Sequence, residues 1–335
     1  MTQPAARKRI LSGVQPSGKL HLGNYFGAIK QHIALQDEGE CFYFIADYHA
    51  LTTLPDLEDD PKKRAELLRS NVHDVALSYL SLGLDPKKAS FFRQSDVPEV
   101  TELAWILSTV TGMGLLERAH SYKDKVARGI APSVGLFTYP VLMAADILIY
   151  RSNLVPVGQD QVQHLEMTRD MAGYFNRAYN QEVFPLPQER LDVAAVVPGT
   201  DGKKMSKSYG NTIDIFAEGN ALKKPVMSIV TDSTPVEAPK DPAKDNVYAL
   251  YGLVATKEEK AEMAQRYRAG GLGYGEVKKA LLAKIDAYFA PARARRKELE
   301  RHPQAVEDIL QEGARKARAE AQKTMDLVRR ATGLR

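Results

Sequence analysis

The order of apolar runs and turn residues along this 335-residue chain predicts an α/β fold: a parallel sheet with helices, followed by an all-helical C-terminal part. Three observations carry that prediction. Residues 10–14 read as a strand, 23–36 as a helix and 41–46 as a second strand, an order that closes by default as a right-handed parallel crossover. Leu154-Val155-Pro156-Val157 repeats the strand signal and runs into Gly158-Gln159-Asp160-Gln161, a glycine turn that opens a further helix. After Ser208 the composition shifts to polar, Ala-rich helical segments broken at Pro225, Pro235 and Pro242.

Each element has its own local reason. In the first helix Tyr25, Ile29, Ile33 and Leu35 fall near one side. The run Cys41-Phe42-Tyr43-Phe44-Ile45-Ala46 is apolar throughout, as a strand buried on both faces should be. Its cysteine is the only one, so an internal disulfide and a cysteine-rich zinc site are excluded and an inert core thiol is expected. Residues 63–82 carry a helical pattern that stops at Gly83, 90–94 read as a short strand, and 99–116 are helical again. Trp105 is read there as a core or interface residue. Pro140 is tolerated in the first turn of a helix, and Tyr139, Met143, Asp146 and Tyr150 then fall on one stripe. An acid on so apolar a helix is costly unless paired. An internal arginine, a backbone N–H or a ligand's N–H could each pair it.

Composition sets the outer limits. With 44% hydrophobic residues the chain has the make-up of a soluble globular protein, and no run approaches the roughly 18 apolar residues of a membrane span. Arg7-Lys8-Arg9 before Ile10-Leu11 has the opening of a signal peptide, but Ser12, Gly13, Gln15 and Pro16 end the apolar stretch at once, so a cytoplasmic protein is expected. The histidines show no HExxH spacing, and no structural metal is expected. Net charge is +4, yet residues 291–335 hold twelve Lys or Arg against seven Asp or Glu. Arg293, Arg295, Arg296, Lys297, Arg301, Arg315, Lys316 and Arg318 fit either a phosphate-contacting surface or a solvated helix face laced with ion pairs; charge alone favours the second.

The chemistry lies in two distant loops. Gly202-Lys203-Lys204-Met205-Ser206-Lys207-Ser208 offers two ammoniums that can reach one pyrophosphate, two hydroxyls, and a glycine that lets backbone approach. Alone, such a loop is as often a solvated turn. Its partner is Pro16-Ser17-Gly18-Lys19-Leu20-His21-Leu22-Gly23-Asn24, where a strand ends and a helix opens. No G-x-x-x-x-G-K-[ST] match competes. Two such elements suit adenylation, in which a carboxylate attacks the α-phosphorus of ATP. The nucleophile is already an anion, so position and positive potential are what the protein must supply.

These residues resemble the two signatures of the class I aminoacyl-tRNA synthetases: KMSKS is complete, and the usual His-Ile-Gly-His stands as His21-Leu22-Gly23-Asn24. The longer string SGVQPSGKLHLGNY resembles the tryptophanyl branch, as do TYPVLMAADILIY, LVPVGQDQVQH and the VTDS segment near Asp232. The resemblance implies a Rossmann-like catalytic domain over 1–210 with a helical insertion at about 63–130 that carries a homodimer contact. It also implies a helical anticodon-binding domain over 211–335. It implies that Lys204, Lys207, His21 and Asn24 act in catalysis. Gln15, Pro16, Ser17, Gly23, Asn24, Gly158, Gln159, Asp160, Val196, Lys204, Met205, Ser206, Lys207 and Ser208 would contact ATP. Asp146 would accept the indole N–H of tryptophan, with Met143, Tyr139, Gln161 and Leu11 around the amino acid. Lys123 and Lys125 either approach the phosphates or form an exposed basic helix. ATP with Mg²⁺, L-tryptophan and tRNA(Trp) are the expected partners, and the expected product is tryptophanyl-tRNA. The alternatives are a tyrosine-specific enzyme of the same fold, an RNA-binding paralogue without activity, and a small-molecule adenylyltransferase.

Overall fold

The structure, a computed structural model, describes residues 8–119, 122–123, 133–191 and 196–335, with only the backbone of Asp56 and Asp160; Lys125 lies outside the described residues. Five parallel strands form one sheet: β1 Arg9–Val14, β2 Glu40–Ile45, β3 Ala89–Arg93, β4 Leu154–Val157 and β5 Gln188–Leu191, in the order β3-β2-β1-β4-β5. The register aligns Ile10 with Cys41 and with Leu154, and Cys41 with Ala89. The winding direction changes between β1 and β4. In a sheet of this kind a ligand crevice opens outside the carboxyl ends of the strands at that point. Val14 and Val157 end there.

The expected strands appear within a residue of their predicted bounds, and β5 is an addition. Its residues Gln188-Glu189-Arg190-Leu191 are all exposed, so no apolar pattern announced it. The first helix is not uniform: α1 Leu22–Asn24 passes through a π-helical turn, Tyr25–Ile29, into α2 Lys30–Ala34. A short helix, α3 Asp47–Ala50, follows β2, and α4 Pro61–Ser81 leads into β3. Much of the stretch 63–130 thus begins by adding a strand to the sheet, since β3 pairs with β2 along its length. Beyond it come α5 Glu99–Val110 and α6 Met113–Leu116, separated at Thr111-Gly112.

Trp105 is not a core residue. It is 72% exposed, while Val100, Leu103 and Leu107 on the same helix are buried. Two residues from either Leu103 or Leu107 is about 200° around a helix, so the tryptophan must face away from that core. Helix α7, Val134–Ile149, packs on α5 and on α8 Val162–Ala178 to cover one face of the sheet.

The C-terminal part comprises α9 Gly219–Met227, α10 Asn246–Val254, α11 Lys257–Ala269, α12 Tyr274–Arg301 and α13 Pro303–Thr332. Helix α13 returns to the sheet. Ala314, Ala317, Ala321, Met325 and Val328 share a core cluster with Phe42, Phe44 and Phe92. Gly313 sits so close to β3 that an added Cβ would lie 1.9 Å from the Phe91 carbonyl oxygen. The basic tail is largely consumed by ion pairs: Arg293 with Asp286 at 2.6 Å, Arg296 with Asp74 at 2.5 Å, Lys297 with Glu218 at 2.6 Å, Arg315 with Glu312 at 2.7 Å and Arg318 with Glu99 at 2.8 Å. Lys316 and Arg301 join Glu312 and Glu298 at 3.7 and 3.4 Å, and Arg295 donates to the Ser81 carbonyl at 3.4 Å. The ion-paired reading of the tail is the one the fold bears out. No described helix is long and apolar enough to cross a membrane.

Candidate active site

At the carboxyl ends of β1 and β4 a cavity of about 510 Å³ opens. Leu11, Gln15, Tyr139, Met143, Asp146, Gly158 and Gln161, all expected around an amino acid or nucleotide, line it together with Phe44, Val155 and Val157. The stripe on α7 therefore divides: Tyr139, Met143 and Asp146 face the cavity, whereas Tyr150 is buried and stacks on Phe42 with ring centroids 4.8 Å apart.

Asp146 is 3% exposed, and among the described residues neither an arginine nor a backbone N–H pairs it. Its partners are two residues that the motifs did not flag. His49 Nε2 stands 2.9 Å from Oδ2, and the Gln94 amide donates to both carboxylate oxygens at 2.9 Å. Burial pushes the carboxyl pKa upward, and the bonds from His49 and Gln94 oppose that shift. Both partners were within reach of a simple rule: Asp47-Tyr48-His49 and Gln94 follow directly on β2 and β3, at the sheet edge where sites form. At the other end of the cavity the Tyr139 hydroxyl bonds His164 Nε2, and His164 Nδ1 lies 3.0 Å from Gln161 Oε1.

The two signature loops meet beside this cavity. Leu22 N–H donates to the Ile213 carbonyl at 3.0 Å and Ile215 N–H to the Leu20 carbonyl at 3.3 Å, so the chain leaving the lysine loop runs along the N-terminal signature. Gly23 N–H points at the Met205 sulfur at 3.3 Å. Lys207 Nζ donates to the carbonyls of Ser17 and Gly18 at 2.9 Å each; Gly18, at φ 93°, turns its peptide in a way a side chain would resist. Ser206 and Ser208 bond each other at 2.8 Å, and Asn211 braces the loop through Ser206 N–H and the Lys204 carbonyl. Arg293 on α12 donates to the Ile215 carbonyl at 3.2 Å, anchoring this junction from the helical part.

His21 is 5% exposed, and its Nδ1 is buried without a protein partner among the described residues. Burial, and secondarily the Lys207 ammonium, lower its pKa to about 4, so the imidazole is neutral at physiological pH. Asn24 accepts the His21 backbone N–H at 3.2 Å, so its side chain closes the helix start. Ser17 is exposed and Pro16 buried at the loop base. Not every expected contact gathers here: the Lys204 side chain, Lys123 and Gln159 are exposed and Val196 is 70% exposed, while the Asp160 side chain lies outside the described residues.

A parallel sheet with a cavity at its switch point and two basic, glycine-bearing loops joined beside it define a nucleotide-dependent amino-acid-activating enzyme, and residues 3–290 match the family of class I tRNA synthetases for tryptophan and tyrosine (W and Y). The chain belongs to that family. It is similar to the tryptophan–tRNA ligase of Rhodopirellula baltica, with 57% identity over 98% of this chain and 100% of that one. The tryptophan–tRNA ligase of Fusobacterium nucleatum is 54% identical over 98% of each chain. The structure of tryptophanyl-tRNA synthetase from Campylobacter jejuni complexed with ADP and tryptophan superposes with a TM-score of 0.89 at 51% identity, covering 97% of this chain and 99% of that one.

Proposed function

We propose that this enzyme is specific for tryptophan: it joins L-tryptophan to ATP as tryptophanyl-adenylate with release of pyrophosphate, then passes the acyl group to the 3′-terminal adenosine of tRNA(Trp). The observation that carries the reading is the buried Asp146 carboxylate opening into a largely apolar cavity. A carboxylate has about four acceptor positions. His49 and Gln94 leave room for an indole N–H. A site built to hydrogen-bond its substrate rejects an analogue lacking that group by on the order of 10⁴–10⁵-fold, which phenylalanine would meet.

In the first step a tryptophan carboxylate oxygen bonds to the α-phosphorus while the bond to the bridging oxygen breaks and pyrophosphate leaves. Lys207 is the ammonium we assign to that leaving charge. Two carbonyls hold it now, so it must exchange them for phosphate oxygens, and Lys204 must swing inward from solvent. Closure of the loop over ATP follows as a working step. We assign neutral His21, whose Nδ1 has no partner among the described residues, and Asn24 to contacts with the phosphates or ribose. Among the described residues no three or more His, Cys, Asp or Glu side chains gather as an ion-binding group, so Mg²⁺ is assigned to ATP and enters with it.

Residues 1–210 are assigned to catalysis and 211–335 to reading the anticodon. A homodimer is proposed through the face that exposes Trp105 and Met113. Substrates such as ATP and tRNA put the activity in the cytoplasm. Charging of a total tRNA pool with labelled tryptophan tests the assignment. Acid-precipitable, alkali-labile tryptophan on tRNA(Trp) is expected; labelled tyrosine charged in its place would overturn it.

A further inference from the structure

The selectivity of such a site depends on where the lone pairs of Asp146 point, and one residue controls that more than any other. Gln94 is 1% exposed and is the first residue after β3. Its amide cannot be turned round. Oε1 accepts the Tyr48 backbone N–H at 3.1 Å, which obliges Nε2 to face Asp146, where it reaches both carboxylate oxygens at 2.9 Å. One amide thus fixes the plane of the carboxylate along its own edge, and His49 takes Oδ2 from a second direction.

Gln94 is in turn held from behind. Arg93, its neighbour on β3, donates through both terminal nitrogens to Glu307 of α13 at 2.9 and 2.6 Å and through Nε to Asp96 at 2.8 Å. A planar fork on a carboxylate fixes direction as well as distance. Two residues earlier on the strand, the Gly313–Phe91 approach leaves no space for a side chain between α13 and β3. The C-terminal helix and the strand that presents Gln94 are therefore one rigid unit.

We propose that Gln94 is a positioning residue for amino-acid selection and that α13 holds it in register through the Arg93–Glu307 ion pair; the proposal rests on the tryptophan reading of the cavity. Gln94 touches no substrate atom in this account. It acts by keeping Asp146 aimed at the indole nitrogen.

The test is ATP–pyrophosphate exchange by the full-length enzyme, comparing tryptophan with β-(3-benzothienyl)alanine, in which sulfur replaces the indole N–H. Gln94→Leu is expected to lower the tryptophan-to-analogue ratio of kcat/KM by roughly 10- to 100-fold, the cost of a misdirected group, while the KM for ATP stays within about twofold. A general structural fault would depress both amino acids alike and leave the ratio intact. Should Gln94→Leu fail to fold, Gln94→Asn, which keeps the amide one methylene short, is expected to move the ratio in the same direction. Glu307→Gln, remote from the cavity, is expected to lower it by about threefold, as substitutions along a packed network do. Folded Gln94 variants with the wild-type ratio overturn the role of Gln94, and an unchanged ratio in Glu307→Gln overturns the part given to α13. Absence of tryptophan-dependent exchange in the wild type would remove the underlying reading as well.

Discussion

Asp146 concentrates the chemistry at the scale of single residues, because it is a buried acid whose partners among the described residues are one neutral amide and one histidine. Asp146→Ala is expected to raise the KM for tryptophan by at least about 100-fold, since a buried site loses its acceptor, with the KM for ATP little changed; exchange kinetics check it. Burial raises the carboxyl pKa, so tryptophan binding should weaken as pH falls through a value above the ordinary aspartate range, and Asp146→Asn should lack that limb. Lys207→Ala is expected to lower the exchange rate by roughly 10²–10³-fold, as loss of one oriented donor does. His21 gives a prediction of opposite form. Its folded pKa of about 4 lies below the ordinary 6.5, so the folded state holds fewer protons and stability, complete above pH 6.5, is lost as pH falls towards 4. The shift corresponds to about 3 kcal/mol. Urea midpoints at pH 7 and pH 4.5 should fall less in His21→Gln than in the wild type. The residues of both signatures were legible in the sequence. His49 and Gln94 were legible only through their place just after two predicted strands, since a lone histidine and a lone glutamine carry no spacing signal of their own.

Among the elements, β3 and α13 decide most. The sequence pattern made strands of 10–14, 41–46, 90–94 and 154–157 because short, apolar-rich runs bounded by turns have few other outcomes. It missed β5, whose residues are solvated, and it could not see that α13 would leave the helical part and lie on the sheet. Charge composition cannot separate a free arginine from one paired over a large sequence distance, such as Arg318 with Glu99 or Arg93 with Glu307. Both pairs are part-buried and forked, so they fix direction between elements; the packing beneath them contributes more to stability. Gly313→Ala would force a methyl into the Phe91 backbone, which cannot yield as a side chain can, and is expected to cost roughly 1–3 kcal/mol or more in chemical denaturation.

On the scale of the whole molecule, the sheet, the cavity and the loop junction form a single arrangement in which the cavity proposed for the amino acid and the loops proposed for the nucleotide share the ends of β1 and β4. Helix α12 grips the junction through Arg293 and α13 grips β3 through Glu307, so the helical part is tied to both halves of the site. The order of loops and strands, and hence the nucleotide end, was readable from motifs; the depth of Asp146 and what holds it depended on the tertiary packing of α3, β3 and α7. The family takes in synthetases for both tryptophan and tyrosine, so fold alone does not choose the amino acid. The side chains in the cavity must. The most direct measurement is ATP–pyrophosphate exchange with tryptophan, tyrosine and phenylalanine side by side. Tryptophan is expected to exceed each of the others in kcat/KM by about 10⁴-fold or more; tyrosine in first place, or no exchange with any of the three, would contradict the account.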